Sequence, residues 1–257
     1  MSTQLLDPDW IVPDWPAPPG VRALCTTRAG GVSSGPYASL NLGEHVGDVP
    51  ADVAANRRRL AQAIGARPVF LAQVHGTSLA VLDDATVDGI AADAACSFQS
   101  GIACTVMVAD CLPVLLTDAQ GRRVAAAHAG WRGLAGGVLA RAVQSFGDDQ
   151  GRHDELMGWL GPCIGPESFE VGHEVKDAFE AQDGEAGRHF KPGRARGKWL
   201  ADLPGLARRR LEALGVRQLY GNDGSRAWCT VSNPSRFFSY RRERLSGRFA
   251  ALVWREG

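Results

Sequence analysis

Three apolar runs follow one another between residues 105 and 130, and they restrict the fold more than any other stretch. They are TVMVADC (105–111), PVLLTDA (113–119) and RRVAAAHAG (122–130). Short apolar runs bounded by turn residues read as buried strands. Gln120-Gly121 turns the second run back into the third. Pro113 separates the first two, which predicts an edge or a bulge there, because proline offers no N–H to a ladder.

The same reading extends along the chain. VRALCTT (21–27), RPVFLA (67–72), SLAVLDD (78–84), ELMGWLGP (155–162), VRQLY (216–220) and RFAALVW (248–254) are strand-like. A helix is expected over 51–65, opened by Pro50 and closed by Gly65. Further helices are expected over 134–147, 173–182 and 200–214. Residues 1–20 are rich in proline and read as an extended arm. Residues 28–48 form a long Gly/Ser loop, and 183–198 a polar, basic one. Structureless loops of that length are usually functional or mobile. No repeat or linker divides the rest. The expectation is one α/β domain over 21–257, a layered sandwich of mixed or antiparallel sheets with helices, since hairpins outnumber strand–helix–strand units.

Composition removes several classes of function. The chain has 257 residues, enough for a substantial core, and 45% of them are hydrophobic. Lys plus Arg and Asp plus Glu are 28 each, so no global field points to nucleic acid or an anionic membrane. RRRLEALG (208–215) then reads as a solvated helix face. No apolar run nears the roughly 18 residues of a membrane span. The first ten residues, MSTQLLDPDW, lack the pattern of a signal peptide. Six cysteines in a chain of this length are expected to be reduced thiols, which implies a cytoplasmic protein.

Chemistry concentrates at strand ends. His128 closes the third run and is followed by Gly130, Trp131, Arg132 and Gly133, a strand–turn–helix junction. Cys111 closes the first run, and His75 in QVHG ends another. A His, Cys, His set suits zinc with one coordination position left open. The three residues lie 36 and then 17 apart, so spacing alone does not distinguish a metal site from an ordinary capped turn. Cys163 in GPCIG reads as a small buried residue, and Cys25, Cys96, Cys104 and Cys229 as core. His45 is a candidate to approach the site from the long loop.

QVHG, ADCLPVLL, HAGWRG, GPCIG, SYRR and SGRFAALVW, in this order after TTRAGGVSSGPYASLNLGEHVGD, resemble the laccase-domain family. That family is also called the multicopper polyphenol oxidase or peptidoglycan editing factor family, and includes purine nucleoside phosphorylases. The resemblance covers nearly all of the chain after residue 20. It implies a layered fold related to the cysteine-hydrolase toxins. It implies a zinc held by His75, Cys111 and His128. It further implies phosphorolysis of adenosine, inosine, guanosine and methylthioadenosine, with some adenosine deamination. A role in correcting peptidoglycan precursors is attributed to some members. Copper chemistry of the laccase type is not expected, because six histidines are too few for several copper centres and Met107 is expected to point away from Cys111.

Phosphorolysis needs an anion pocket. Arg28 in TTRAGG, Arg132 after His128 and Arg241 in SYRR are the candidates, with Arg28 first. Asn41 in LNLG is a candidate for ribose or phosphate, and equally a turn residue. Asp93 is the candidate proton shuttle for deamination, ahead of Asp110, which should face away from Cys111. Trp131 is expected to pack under Arg132. Purine nucleosides and phosphate are the expected partners, and the chain is expected to act as a monomer or homodimer. Two alternatives remain. One is a hydrolase acting on a peptidoglycan precursor, with Cys111 as nucleophile. The other is a non-enzymatic partner-binding protein of the cell-division machinery.

Overall fold

Side chains alternate across a strand, and this alternation sorts the chain into layers. The computed structural model describes residues 6–147 and 155–257. The first five residues of the expected N-terminal arm lie outside the described residues. Strands β1 (Val21–Cys25), β2 (Arg67–Phe70), β5 (Ile102–Val108) and β13 (Phe249–Arg255) make one sheet in the order β1-β13-β5-β2. Strands β3 (Leu79–Leu82), β4 (Ala94–Ser97), β6 (Leu112–Asp118), β7 (Val124–Ala129), β8 (Leu156–Leu160) and β12 (Gln218–Gly221) make a second, ordered β12-β8-β6-β7-β4-β3. Pairs β2·β5, β3·β4 and β8·β12 are parallel, and the remaining pairs in these two sheets are antiparallel. The fold is mixed α/β, as expected.

One face of each sheet meets the other. Cys104, Val106 and Val108 on β5 and Phe249, Ala251 and Val253 on β13 pack with Leu115 on β6 and Ala126 on β7. The opposite face of the first sheet, with Ala103, Met107, Ala250 and Leu252, is covered by Leu60 of α1 (Pro50–Ile64) and by Trp10 of the arm. The opposite face of the second sheet carries Leu112, Val114 and Leu116 and the alanines 125, 127 and 129. It packs against α3 (Val138–Gln144) and α5 (Leu203–Ala213). Strands buried on both faces explain why the runs at 105–119 are apolar throughout rather than alternating.

Several expectations change. The runs 105–111 and 113–119 are not neighbours in one sheet. β5 belongs to the first sheet and β6 to the second, and the chain crosses between them at Ala109–Cys111. Asp110 takes the left-handed conformation there, with φ of 100°. Pro113 is neither at a sheet edge nor in a bulge. β6 lies between β7 and β8, but the β8 ladder begins only at Val114, and the Pro113 carbonyl still accepts from Gly161 N at 2.9 Å. The proline therefore sits where its missing N–H costs no ladder bond.

The helix expected over 134–147 is two. The first, α2 (Trp131–Gly136), starts directly after Gly130, and Gly137 at φ of 101° separates it from α3. The basic stretch 183–198 is not a plain loop. It holds a 3₁₀ segment (Gly184–His189) and β10 (Phe190–Pro192). β10 pairs with β11 (Trp199–Ala201), which pairs with β9 (Glu170–Val171) in a third, small sheet. The helix expected over 173–182 is α4 (His173–Glu180). The long loop 28–48 is tied down by Asn56 of α1. Its amide donates to Ser33 Oγ and the Asn41 carbonyl, both at 2.9 Å, and accepts from Val32 N at 2.9 Å.

Candidate functional site

Asp93 is the organising residue. It stands just before β4, fully buried, and the backbone N–H of His128 donates to its carbonyl at 2.7 Å. Its carboxylate closes the QVHG loop by accepting from three successive N–H groups: Val74 at 3.2 Å, His75 at 2.9 Å and Gly76 at 2.6 Å. Those bonds hold His75 in the left-handed region, at φ of 61°. The same carboxylate accepts from His128 Nδ1 at 2.8 Å. That bond leaves His128 Nε2 free to act as a donor atom.

Cys111 reaches this group because Asp110 turns the chain. The Asp110 carboxylate accepts from Thr230 Oγ1 and from the Arg241 backbone N–H, both at 2.6 Å, and its carbonyl accepts from Ile164 N at 2.9 Å. Its carboxyl group is thus committed to Thr230 and Arg241. Cys111 Sγ lies 3.7 Å from His75 Nε2. One donor atom from each of His75, Cys111 and His128 falls within 4.8 Å of the others. Gly130 leaves room for the group. A Cβ there would sit 2.9 Å from the His75 ring and 3.0 Å from Cys111 Sγ.

Charge settles on this trio even without an ion. Burial opposes ionisation of Cys111, but His128 and His75 outweigh it and bring the thiol down to about 6. Burial also opposes protonation of His128, but Cys111 and Asp93 outweigh it and raise the imidazole to about 9. For Asp93, burial is outweighed by the His128 ring and the Gly76 and Val74 amides, which hold the carboxyl below its ordinary value. Two imidazoles, one ready thiolate and an orienting carboxylate behind one imidazole form a donor set that fits a borderline-soft divalent metal with an open position.

The trio opens into a cleft of about 480 Å³. Arg132, Arg241 and Arg248 line it together with the apolar surfaces of Trp131, Ile164 and Phe169. The Arg132 guanidinium stacks 4.4 Å above the Trp131 ring, as the adjacent pair suggested. Arg241 donates from Nη1 to the Glu170 carbonyl at 3.0 Å. Arg248 donates from Nη1 to the carbonyls of Ser246 at 2.8 Å and Gly247 at 3.0 Å. His45 also lines the cleft, and burial followed by the nearby Arg248 and Arg57 lowers its pKa. Met107 was expected to point away from Cys111, yet it lines the same cleft.

The structure places other candidates outside the cleft. Arg28 is committed elsewhere. Its Nε donates to the Ala38 carbonyl at 2.9 Å, and its Nη1 donates to the Pro234 carbonyl at 2.8 Å and meets Glu243 at 3.3 Å. It clamps the long loop instead of facing the trio. Asn41 is fully buried and stitches the same loop. It donates to the Gly43 carbonyl at 3.1 Å and to Asp48 at 2.9 Å, and accepts from Gly43 N and Arg248 N, both at 2.9 Å. Asn41 therefore positions Arg248. Asp93, the expected proton shuttle, is enclosed behind His128 with its carboxylate accepting from four donors. Arg248 and Gln73, whose side chain exchanges hydrogen bonds with the Met107 backbone, also line the cleft, and the sequence did not single out either. The only available signal for Arg248 was its place at the head of the buried strand in SGRFAALVW.

The sequence matches the family described as multi-copper polyphenol oxidoreductase laccase over residues 22–256. The chain belongs to this laccase family. Among its relatives is a purine nucleoside phosphorylase of Pseudomonas aeruginosa, 53% identical over 245 residues, covering 95% of this chain and 98% of the relative. Another is the purine nucleoside phosphorylase YfiH of Escherichia coli strain K12, 48% identical over 247 residues, covering 95% and 98%. The solved structure of Neisseria meningitidis protein NMB0706 superposes with a TM-score of 0.90 at 46% identity, covering 97% of this chain and all of that one. YlmD of Geobacillus stearothermophilus superposes with a TM-score of 0.89 at 31% identity, covering 99% and 98%. In this laccase-family chain the only group of three or more metal-type side chains among the described residues is the His75, Cys111, His128 trio.

Proposed function

We propose that the protein is a zinc-dependent purine nucleoside phosphorylase. The observation that carries the reading is the meeting, in one cleft, of a His-Cys-His donor set with Arg132, Arg241 and Arg248. Asp110 is the one carboxylate among the lining residues, and it is already bonded to Thr230 and Arg241. Such a cleft attracts an anion next to the metal position. Its volume suits a nucleoside and a phosphate. The relatives' activity supports the same reading.

In phosphorolysis a phosphate oxygen forms a bond to C1′ as the C1′–N9 bond breaks. The bonding pair leaves with the purine, which takes up a proton. The arginines bind and orient the phosphate, which is where negative charge must be steadied. Trp131, Ile164 and Phe169 offer an apolar wall for the base and keep water away from the reacting carbon. His75, Cys111 and His128 would hold the zinc, which when bound supplies Lewis acidity at the head of the cleft. Asp93 fixes the tautomer and direction of His128. The substrates we assign are adenosine, inosine, guanosine and methylthioadenosine, with deamination of adenosine as a side activity.

No described helix is long and apolar enough to cross a membrane, and the six cysteines are free. We place the protein in the cytoplasm, acting as a monomer or homodimer, with neither nucleic acid nor membrane as partner. The test is product analysis of adenosine incubated with and without phosphate. Adenine and ribose 1-phosphate formed only with phosphate support the reading, adenine released equally well without phosphate rejects it, and inosine formed without phosphate reports the deaminase side activity. A second reading rests on the order Cys111, His128, Asp93, which is also that of a nucleophile, its base and an orienting carboxylate. In that case metal-free protein would cleave peptidoglycan precursors, and alkylation of Cys111 would abolish the activity.

A further inference from the structure

A second cleft of about 290 Å³ lies on the other side of the loop Cys163–Phe169. That loop is shared. Ile164 and Phe169 line the catalytic cleft, and Gly165–Ser168 line the second one. The neighbours Asp202 and Leu203 divide in the same way, with Asp202 in the second cleft and Leu203 in the first. None of the trio lines the second cleft.

Cations and hydroxyls dominate its walls. Lys191 and Arg226 line it, and neither makes a salt bridge among the described residues, whereas Arg188 at the rim is paired with Glu185. His189 lines it too, with Nδ1 at 3.3 Å from Asp202 Oδ2. Asp202 is itself engaged as the cap of α5, accepting from Gly205 N at 3.0 Å. A Cβ at Gly205 would collide with both Asp202 and His189. Ser168, Ser225 and Ser232 add hydroxyls. Glu167 is the remaining acid and is exposed.

We propose that this cleft is a second binding site, separate from the metal trio, for a phosphate-bearing anion of sugar-phosphate size. Lys191 and Arg226 meet the phosphate, and His189, whose Nδ1–H faces Asp202, offers its Nε2 lone pair to a sugar hydroxyl. The serine hydroxyls take the polar remainder. Hydrogen bonds join the walls of the two clefts. Cys229 lines the second cleft, and its Sγ accepts from Gly165 N at 3.2 Å. The adjoining Thr230 bonds Asp110, the residue that aims Cys111. The site stands whether or not the phosphorylase reading holds.

Calorimetric titration with ribose 5-phosphate tests it, using the full-length wild type, Arg132→Met and the pair Lys191→Met with Arg226→Met. The expected result is binding that survives Arg132→Met and weakens at least tenfold in the Lys191/Arg226 variant, while phosphate-dependent cleavage of adenosine stays at the wild-type level. Inorganic phosphate is titrated in parallel. Tighter binding of ribose 5-phosphate marks a sugar-phosphate site, and equal binding marks a site for phosphate itself. Histidine-labelled wild-type protein gives a second readout independent of the variants. The His189 ring signal, identified with His189→Asn, should move during the titration. Binding abolished by Arg132→Met but untouched by the Lys191/Arg226 changes, or a still His189 signal, would overturn the proposal.

Discussion

On one side of the cleft, His128 closes β7, Cys111 directly precedes β6, and His75 lies in the loop between β2 and β3, where the Asp93 carboxylate ties it to His128. On the other side, Arg132, Arg241 and Arg248 come from a helix start and two separate segments near the C-terminus, each steadied by an aromatic ring or backbone carbonyls. The first side is buried at its base and over-determined. Five hydrogen bonds converge on Asp93 alone, four on its carboxylate and one on its carbonyl. The second side is more open, and each guanidinium is held by only a few contacts. A metal demands closely fixed donor positions, which strands and a loop pinned by three backbone hydrogen bonds to Asp93 supply. An anion that arrives and leaves with each turnover is better served by long side chains that can follow it. Substitutions on the two sides should therefore fail differently.

The largest effect is expected at the donors. Purified wild type should carry about one zinc per chain, as a single three-donor site implies. Cys111→Ala and His128→Ala should lose nearly all of it, together with activity, while circular dichroism keeps the folded signature. Wild-type zinc content in both variants would remove the trio from metal binding. The next effect is in acid–base behaviour. In metal-stripped protein, alkylation of Cys111 should rise with pH through about 6. The sign follows from a depressed thiol, which is already a thiolate above that value and protonated below it. An inflection near 9 would show that His75 and His128 do not act on it.

Asp93→Asn comes third. It keeps the size of the side chain but removes the charge behind His128. Loss of a group that orients a metal ligand costs about 10–100-fold in metal affinity. Competition with a chelator measures this, and unchanged affinity would mean that packing alone holds the ring. Arg132→Met comes fourth and belongs to the other side. It should keep full zinc and raise the KM for phosphate about tenfold, the loss of one charge-assisted hydrogen bond. Loss of zinc in this variant would erase the distinction between the two sides. The smallest effect is expected for Arg28→Ala. It should lower stability by about 1–2 kcal/mol through lost charge-assisted bonds to loop carbonyls, with the phosphate KM unchanged. A raised phosphate KM would return Arg28 to the anion pocket.

The sequence by itself determined the apolar strands, the three candidate donor residues and the presence of Arg132 beside Trp131, because each is written in local pattern or residue type. HAGWRG already carried both the candidate ligand His128 and Arg132. It could not determine that 105–111 and 113–119 lie in different sheets, since a chain crossing between layers and a chain turning within one leave the same apolar signature. Nor could it separate Arg28 from Arg248. Both are arginines within two residues of a glycine where loop meets strand, and only the packing of the long loop sends one guanidinium to carbonyls and glutamate and the other to the cleft. The role of Asp93 was hidden for the same reason. A carboxylate reads as a proton carrier or as a positioning group according to what surrounds it. What surrounds Asp93 comes from residues 74–76 and from residue 128, brought together only when β4 and β7 pair.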